Sequence, residues 1–250
     1  MAGQRTVATC MKPLAIKMFA WIALLASTAG VLLLALFLLP LIPSLSINSP
    51  AWIKLSPPWL PNLLLILLFG LQHSVMARPW FKKWIGRRIP HEAERSVYVF
   101  ASGLVLGVVP FLWQPMTDSI WWVEHPAGQI GIYVLFALGL LLTLAAVIAI
   151  DAMDLIGFRQ AGVVQSIPMT FKRSWLHNQV RHPIYTGLIL VCWATPFMTT
   201  GHFFFASLMT IYIRIGIHFE ERHLIRTFGL DYEHYRKEVP MLFPRLFRKQ

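Results

Sequence analysis

Residues 19–39 read FAWIALLASTAGVLLLALFLL, 21 in a row without a charge. An α-helix rises 1.5 Å per residue, so about 20 apolar residues cross the hydrocarbon core of a bilayer. Arg5, Lys12 and Lys17 stand before the run, as basic residues stand before a secretion signal. The run is too long for the apolar part of such a signal. No small-residue cleavage site follows Leu39–Pro43, so it reads as a retained first span.

Further apolar runs occupy 60–77, 96–113 and 130–150, and two shorter ones occupy 184–198 and 203–217. The last two are joined by TTGH, Thr199–His202, with Pro196 just before. They read as a tight helical hairpin that crosses the bilayer or dips through most of it. The predicted fold class is therefore all-α. It is a polytopic integral membrane helical bundle of five to six transmembrane segments, with a C-terminal helical hairpin and a cytosolic C-terminal helix. One membrane domain covers residues 1–250, and no soluble domain or 20–50-residue repeat interrupts it. The polar stretches 151–183 and 218–250 lie outside the spans and carry the candidate site. After His218 the chain reads as helix up to a cap at Gly229. Phe228, Tyr232 and Tyr235 then line one face of a short helix that Val239–Pro240 ends.

Composition agrees. Hydrophobic residues make up 56% of the chain and charged ones 13%, against about 25% charged in soluble domains. The 10 Trp and 17 Phe suit anchoring at membrane interfaces. The net charge of +11 does not point to nucleic acid, because the cations sit at the ends of apolar runs and form no aromatic-interleaved surface. Twenty Lys and Arg fall to one side of this layout, against Lys54 alone on the other and Arg214 within a span. The positive-inside rule then places both termini in the cytoplasm, with a bacterial inner membrane as the expected location. Cys10 and Cys192 suit no structural disulfide or metal site. The nine His show no zinc-type spacing, so no metal is expected. No G-x-G-x-x-G is present. Pro110 and Pro196 interrupt apolar runs as they do in transporters, but no inverted repeat supports that reading.

The chemistry gathers where the hairpin begins and ends. Gln179–Gly187 reads QVRHPIYTG, and HFEERHL follows the last run. A helical hairpin returns to its starting side, so Arg181, His182 and Tyr185 are expected to meet Glu220 or Glu221. A carboxylate and an aromatic face suit a cationic ligand. Pro183 biases His182 away from helical geometry, and Gly187 admits close approach of a ligand or a neighbouring helix. The plainer readings are a helix start with a snorkelling Arg and a solvated acidic face paired with Arg222 or Arg226.

RHPIYTG, an apolar hairpin and FEERHLIRTFGLDYEHYRKEVP together resemble the isoprenylcysteine carboxyl methyltransferase superfamily over about the last 70 residues. Phospholipid N-methyltransferases are similar in this half. LQHSVMARPWFK (Leu71–Lys82) and DLIGFRQ (Asp154–Gln160) resemble the bacterial methanethiol S-methyltransferases, and the nurim and denitrification-associated proteins share HSVMARP. The resemblance implies S-adenosylmethionine (SAM) as cofactor. It carries the family's SAM contacts onto His182, Pro183, Ile184, Tyr185 and Glu220, with Gln160 matching a further contact. His177 stands where the carboxyl methyltransferases have a helper Tyr, and Trp175 where they have Gly, within the stretch Met169–His177. Arg181, Gly187 and Glu221 complete the candidate cofactor-binding set.

A thiolate attacking the sulfonium methyl annihilates charge, which a dry pocket favours. The expected acceptor is a small thiol, methanethiol, entering from the bilayer and leaving as dimethyl sulfide. His73, Arg78, Arg214 and His218 are the catalytic candidates for supplying thiolate, by a base or a nearby cation. Arg214 could instead pair with Asp151 or Asp154. The alternatives are a lipid or isoprenylcysteine methyltransferase, and a non-catalytic membrane protein of the nurim or denitrification-accessory kind.

Overall fold

The computed structural model describes residues 13–165 and 173–245. The expectations placed on Arg5, Cys10, Lys12, Met169, Lys172, Arg248 and Lys249 lie outside the described residues. In chain order the helices are α1 (Pro13–Leu38), α2 (Trp59–Met76), α3 (Pro79–Ile85), α4 (His91–Leu112), α5 (Pro126–Ile150), α6 (Ala152–Leu155), α7 (Pro183–Trp193), α8 (Thr200–Phe228) and α9 (Leu230–Glu238). Strand β1 (Ser119–Trp122) precedes α5 and strand β2 (Phe197–Thr199) precedes α8. Helices α1, α2, α4, α5 and α8 are each long and apolar enough to cross a membrane. They turn large apolar side chains outward, among them Leu25, Leu64, Leu104, Leu141 and Ile211. An exposed apolar surface on every long helix is stable only in lipid, so the chain is an integral membrane protein.

The described chain forms two compact units. One contains α1–α4 and α6, the other β1, α5, α7, β2, α8 and α9. In the first, α1 and α4 meet backbone to backbone. A Cβ added to Gly30 would lie 2.2 Å from the Gly103 carbonyl oxygen, and one added to Gly103 would lie 2.4 Å from Ser27 Cα. Lipid supplies no hydrophobic force between helices, so close packing of small residues must hold them. At one end of this contact Phe158 and Ala161, in the turns after α6, pack on Ile16, Ala20 and Ala93.

In the second unit the hairpin is unequal. Helix α7 has 11 residues, a rise of about 16 Å, too short to cross alone. Pro196 stops it, and the chain continues extended into β2, which pairs antiparallel with β1. The pairing satisfies backbone groups that no helix serves, as a bilayer demands. Neither strand is foreseen from the sequence, because three or four residues carry no readable alternation. Thr199 then caps α8, its side-chain oxygen accepting from the His202 N–H.

Helix α8 runs for 29 residues, from the apolar run 203–217 straight on to the cap expected at Gly229, and carries Glu220 and Glu221 on its last three turns. Nothing between His218 and Phe228 breaks a helix. The break comes at Gly229, whose φ of 57° favours glycine.

Gly103→Ala should force α1 and α4 apart at the cost of overpacking, about 1–3 kcal/mol. The check is a lowered unfolding temperature in detergent, with Gly131→Ala, where an added Cβ meets nothing within 4 Å, as the control.

Candidate functional site

The site begins with how α7 starts. His182 adopts a non-helical φ of −125° before Pro183, which needs no N–H partner at the first helical position. The free backbone groups here are taken by the segment after α9. The Arg181 N–H donates to the Pro240 carbonyl (2.8 Å) and the His182 N–H to the Met241 carbonyl (3.1 Å). The Thr186 hydroxyl donates to the Leu242 carbonyl at 2.7 Å. The residues 240–242 thus form a clasp along the start of α7.

Side chains complete the clasp. Arg181 and Glu221 form an ion pair whose side chains are 8% and 9% exposed. Arg181 Nε and Nη2 both reach Glu221 Oε1 at 2.8 Å. Arg181 Nη1 donates to the carbonyls of Arg236 and Val239, at 2.8 and 2.7 Å. His182 Nε2 lies 3.1 Å from the same Glu221 oxygen. A carboxylate only accepts, so His182 presents Nε2–H there. Removing one partner of a buried ion pair is far more costly than forming the pair is rewarding.

Glu220, one residue earlier, has a different environment. Its side chain is 42% exposed, with Oε1 3.9 Å from His182 Nδ1. Its Oε2 accepts from the Tyr185 hydroxyl at 2.8 Å. The rings of His182 and Tyr185 lie 5.7 Å apart. The result is a negative charge with open access, flanked by two aromatic rings, beside a second acid that Arg181 neutralises.

Behind it, Tyr232 and Tyr235 of α9 pack with Val239 against Leu224, Ile225 and Phe228. The Tyr235 hydroxyl donates to the His177 carbonyl (2.7 Å), and the Ser174 hydroxyl lies 2.7 Å from His177 Nδ1. Burial, aided by the neighbouring positive potential of His182, holds the His177 pKa below its ordinary value. Burial above all, opposed by Arg173 and Arg181, pushes the Tyr235 phenol up to about 12.

The sequence-derived candidates sort as follows. His177, Arg181, His182, Pro183, Ile184, Tyr185, Glu220 and Glu221 all belong to the second unit, and direct contacts link Arg181, His182, Tyr185 and both acids, whereas His177 meets Ser174 and Tyr235. Gly187 faces a helix: a Cβ there would lie 2.3 Å from Thr143 Oγ1 and 2.6 Å from the Gly139 carbonyl oxygen. Gln160, His73 and Arg78 belong to the first unit. Gln160 Oε1 accepts from the Arg95 N–H at 2.9 Å, and its amide nitrogen faces His91. His73 lies between the Tyr98 hydroxyl (2.7 Å from Nε2) and the Ser102 hydroxyl (3.1 Å from Nδ1). Arg214 is exposed on α8 and donates to the Met241 sulfur. His218, also exposed, stands edge-on to Phe219. Sequence reasoning missed Ser174, Thr186 and Met241. A hydroxyl one turn into α7 was the available signal for Thr186; Met241 offered none.

Five helices long and apolar enough to cross a membrane, with an unequal acidic pair where the hairpin begins and ends, fit a membrane enzyme of the methyltransferase type that the paired motifs imply. Comparison with known proteins narrows the class. The chain is 42% identical over 208 residues to the methanethiol S-methyltransferase of Crocosphaera subtropica, covering 82% of each chain. It is 44% identical over 193 residues to that of Pseudomonas deceptionensis, 76% of this chain and 74% of the relative. Bovine nurim is 29% identical over 181 residues, 68% of each. No family model and no solved structure matches. The chain belongs to the methanethiol S-methyltransferase family.

Two outcomes follow from the geometry. Arg181→Met leaves Glu221 buried without its counter-charge and should cost about 3–5 kcal/mol in thermal unfolding, part of it restored by adding Glu221→Leu. His177 in the unfolded chain takes a proton near pH 6.5 while the folded one resists it. Stability should therefore fall as pH drops below 6.5 and recover above it, a slope that His177→Gln flattens.

Proposed function

We propose that this chain transfers a methyl group from SAM to methanethiol, giving dimethyl sulfide. The observation that carries the reading is the unequal acidic pair: Glu221 is neutralised by Arg181, whereas Glu220 is half-exposed and oriented by Tyr185. The relatives' names carry methanethiol as acceptor.

The residues present fit SAM. Bound there, the cofactor would supply an electrophilic methyl on a positive sulfonium. Glu220 is the counter-charge, and Tyr185 fixes its carboxylate through the O–H bond and offers an aromatic face to a cation. At about 4 Å and an effective dielectric of 20, opposite unit charges attract by about 4 kcal/mol. Glu220 is more than a third open to solvent, so screening leaves a fraction of that. His182, Pro183 and Ile184 wall the seat from α7, with His182 held from behind by Glu221. His177, kept neutral, adds no opposing charge at pH 7. The excess of basic residues on this side supports a cytoplasmic face for the seat, both termini inside and the inner membrane as location. Methanethiol, small and apolar, reaches it through the bilayer.

Calorimetry tests the seat. Glu220→Gln should weaken SAM binding about tenfold or more, about 1.4 kcal/mol, with the unfolding temperature unchanged. Tyr185→Phe should weaken it less, by freeing the carboxylate. Equal affinity in wild type and Glu220→Gln would remove Glu220 from the seat. A folded preparation that binds SAM yet forms no dimethyl sulfide from methanethiol would overturn the acceptor.

A further inference from the structure

Arg214 lies on α8, inside the apolar run of that helix and three residues before the run ends at Ile217. An ionisable side chain at such a place is a functional-site candidate by default. Its surroundings sharpen the case. Among the described residues its hydrogen-bond partner is the thioether sulfur of Met241, and no carboxylate lies within ion-pair distance of it. A thioether is a weak acceptor and no counter-ion. Among the described residues the guanidinium thus meets a weak neutral acceptor and no counter-ion.

The flanks of Arg214 tie it to the seat already described. Ile213 and Ile217, on either side of it, pack in one cluster with Leu242, Met241, Tyr185, Leu188 and Ile189. Tyr185 is the residue whose hydroxyl holds Glu220. The charged and titratable groups around Arg214 are few. On α8, His218 follows one turn later and Glu221, committed to Arg181, two turns later. On α7 it is Tyr185. The 240–242 clasp presents none.

We propose that Arg214 is the thiolate-binding residue, and that Met241 sulfur occupies the position taken by the substrate sulfur. This rests on the proposed methyl transfer and adds its acceptor subsite. The substrate class is a small alkyl thiol bound as its anion, R–S⁻. The thiol proton leaves to solvent on binding. The thiolate electron pair then forms the new C–S bond, the methyl–sulfonium bond breaks, and its pair returns to the donor sulfur. One negative and one positive charge vanish together.

Magnitudes decide whether a cation helps. A thiol of pKa 8.5 or above is mostly protonated at pH 7. Each unit by which Arg214 lowers that pKa multiplies the thiolate population by about ten. The same unit lowers intrinsic nucleophilicity only about threefold, since the Brønsted slope is about 0.4–0.5. The population gain wins until the bound thiol's pKa reaches ambient pH. A guanidinium suits the task because it stays charged in apolar surroundings.

The test titrates methanethiol, in a sealed calorimeter, into wild-type protein saturated with S-adenosylhomocysteine at pH 7, in two buffers of different ionisation heat. Wild type should release about one proton per thiol bound. Arg214→Gln should release none, and its pH profile of kcat/KM for methanethiol should move up to the free thiol's pKa. Arg214→Lys, which keeps the charge, should restore part of the proton release. Met241→Leu removes the competing sulfur and should lower KM for methanethiol severalfold. Unchanged proton release and pH profile in Arg214→Gln would overturn the assignment, and a raised KM in Met241→Leu would overturn the role of Met241. Wild type that forms no dimethyl sulfide would instead refute the methyl-transfer reading itself.

Discussion

The ion pair between Arg181 and Glu221 is the constraint on which the site depends. Neither charge can be removed from water alone, so each requires the other. Their union fixes the ends of α7 and α8 side by side. It also frees the third guanidinium nitrogen for the carbonyls of Arg236 and Val239, which brings α9 and the following segment against the same place. A tether between two helix ends becomes a three-way junction. Two successive acids in the chain then acquire opposite characters: one is consumed by the junction, and the other is left at its rim with a phenol for company.

Close backbone contact supports that junction from the membrane side. Gly187 rests on Gly139 and Thr143 of α5, one turn into the helix that starts with His182 and Tyr185. In lipid such contacts replace the hydrophobic force that assembles soluble cores. The unit therefore combines two kinds of adhesion. Dispersion between small residues acts at membrane depth, and charge-assisted bonds act where the helices leave it. The position of Tyr185 is set by both.

Much of this is legible in the residues. Charge-free runs of about 20 declare the long helices, and a helix continues until something breaks it, which is why Gly229 marks the end of α8. The meeting of RHPIY with the acidic pair follows from a hairpin returning to its starting side. Which acid does what is not legible. Adjacent helical residues point about 100° apart, and only the packed structure says which one faces Arg181. For the same reason Arg181 reads as a ligand contact in the sequence and is saturated by protein in the fold. Gly187 admits a ligand or a helix equally well until Gly139 appears opposite it. The contact between Arg214 and Met241 joins residues 27 apart through a segment with no periodicity, so no pattern announces it. The two short strands escape for the same lack of pattern.

The clasp has a consequence for how the protein is made. Pro240, Met241 and Leu242 supply the carbonyls that receive Arg181, His182 and Thr186. Every helix long enough to span the bilayer is synthesised before them. During translation the long helices can therefore enter the bilayer while the backbone groups at the start of α7 still lack these partners. The start of α7 is tied down only once the chain has been made through Leu242, so insertion into the bilayer precedes the locking of this junction.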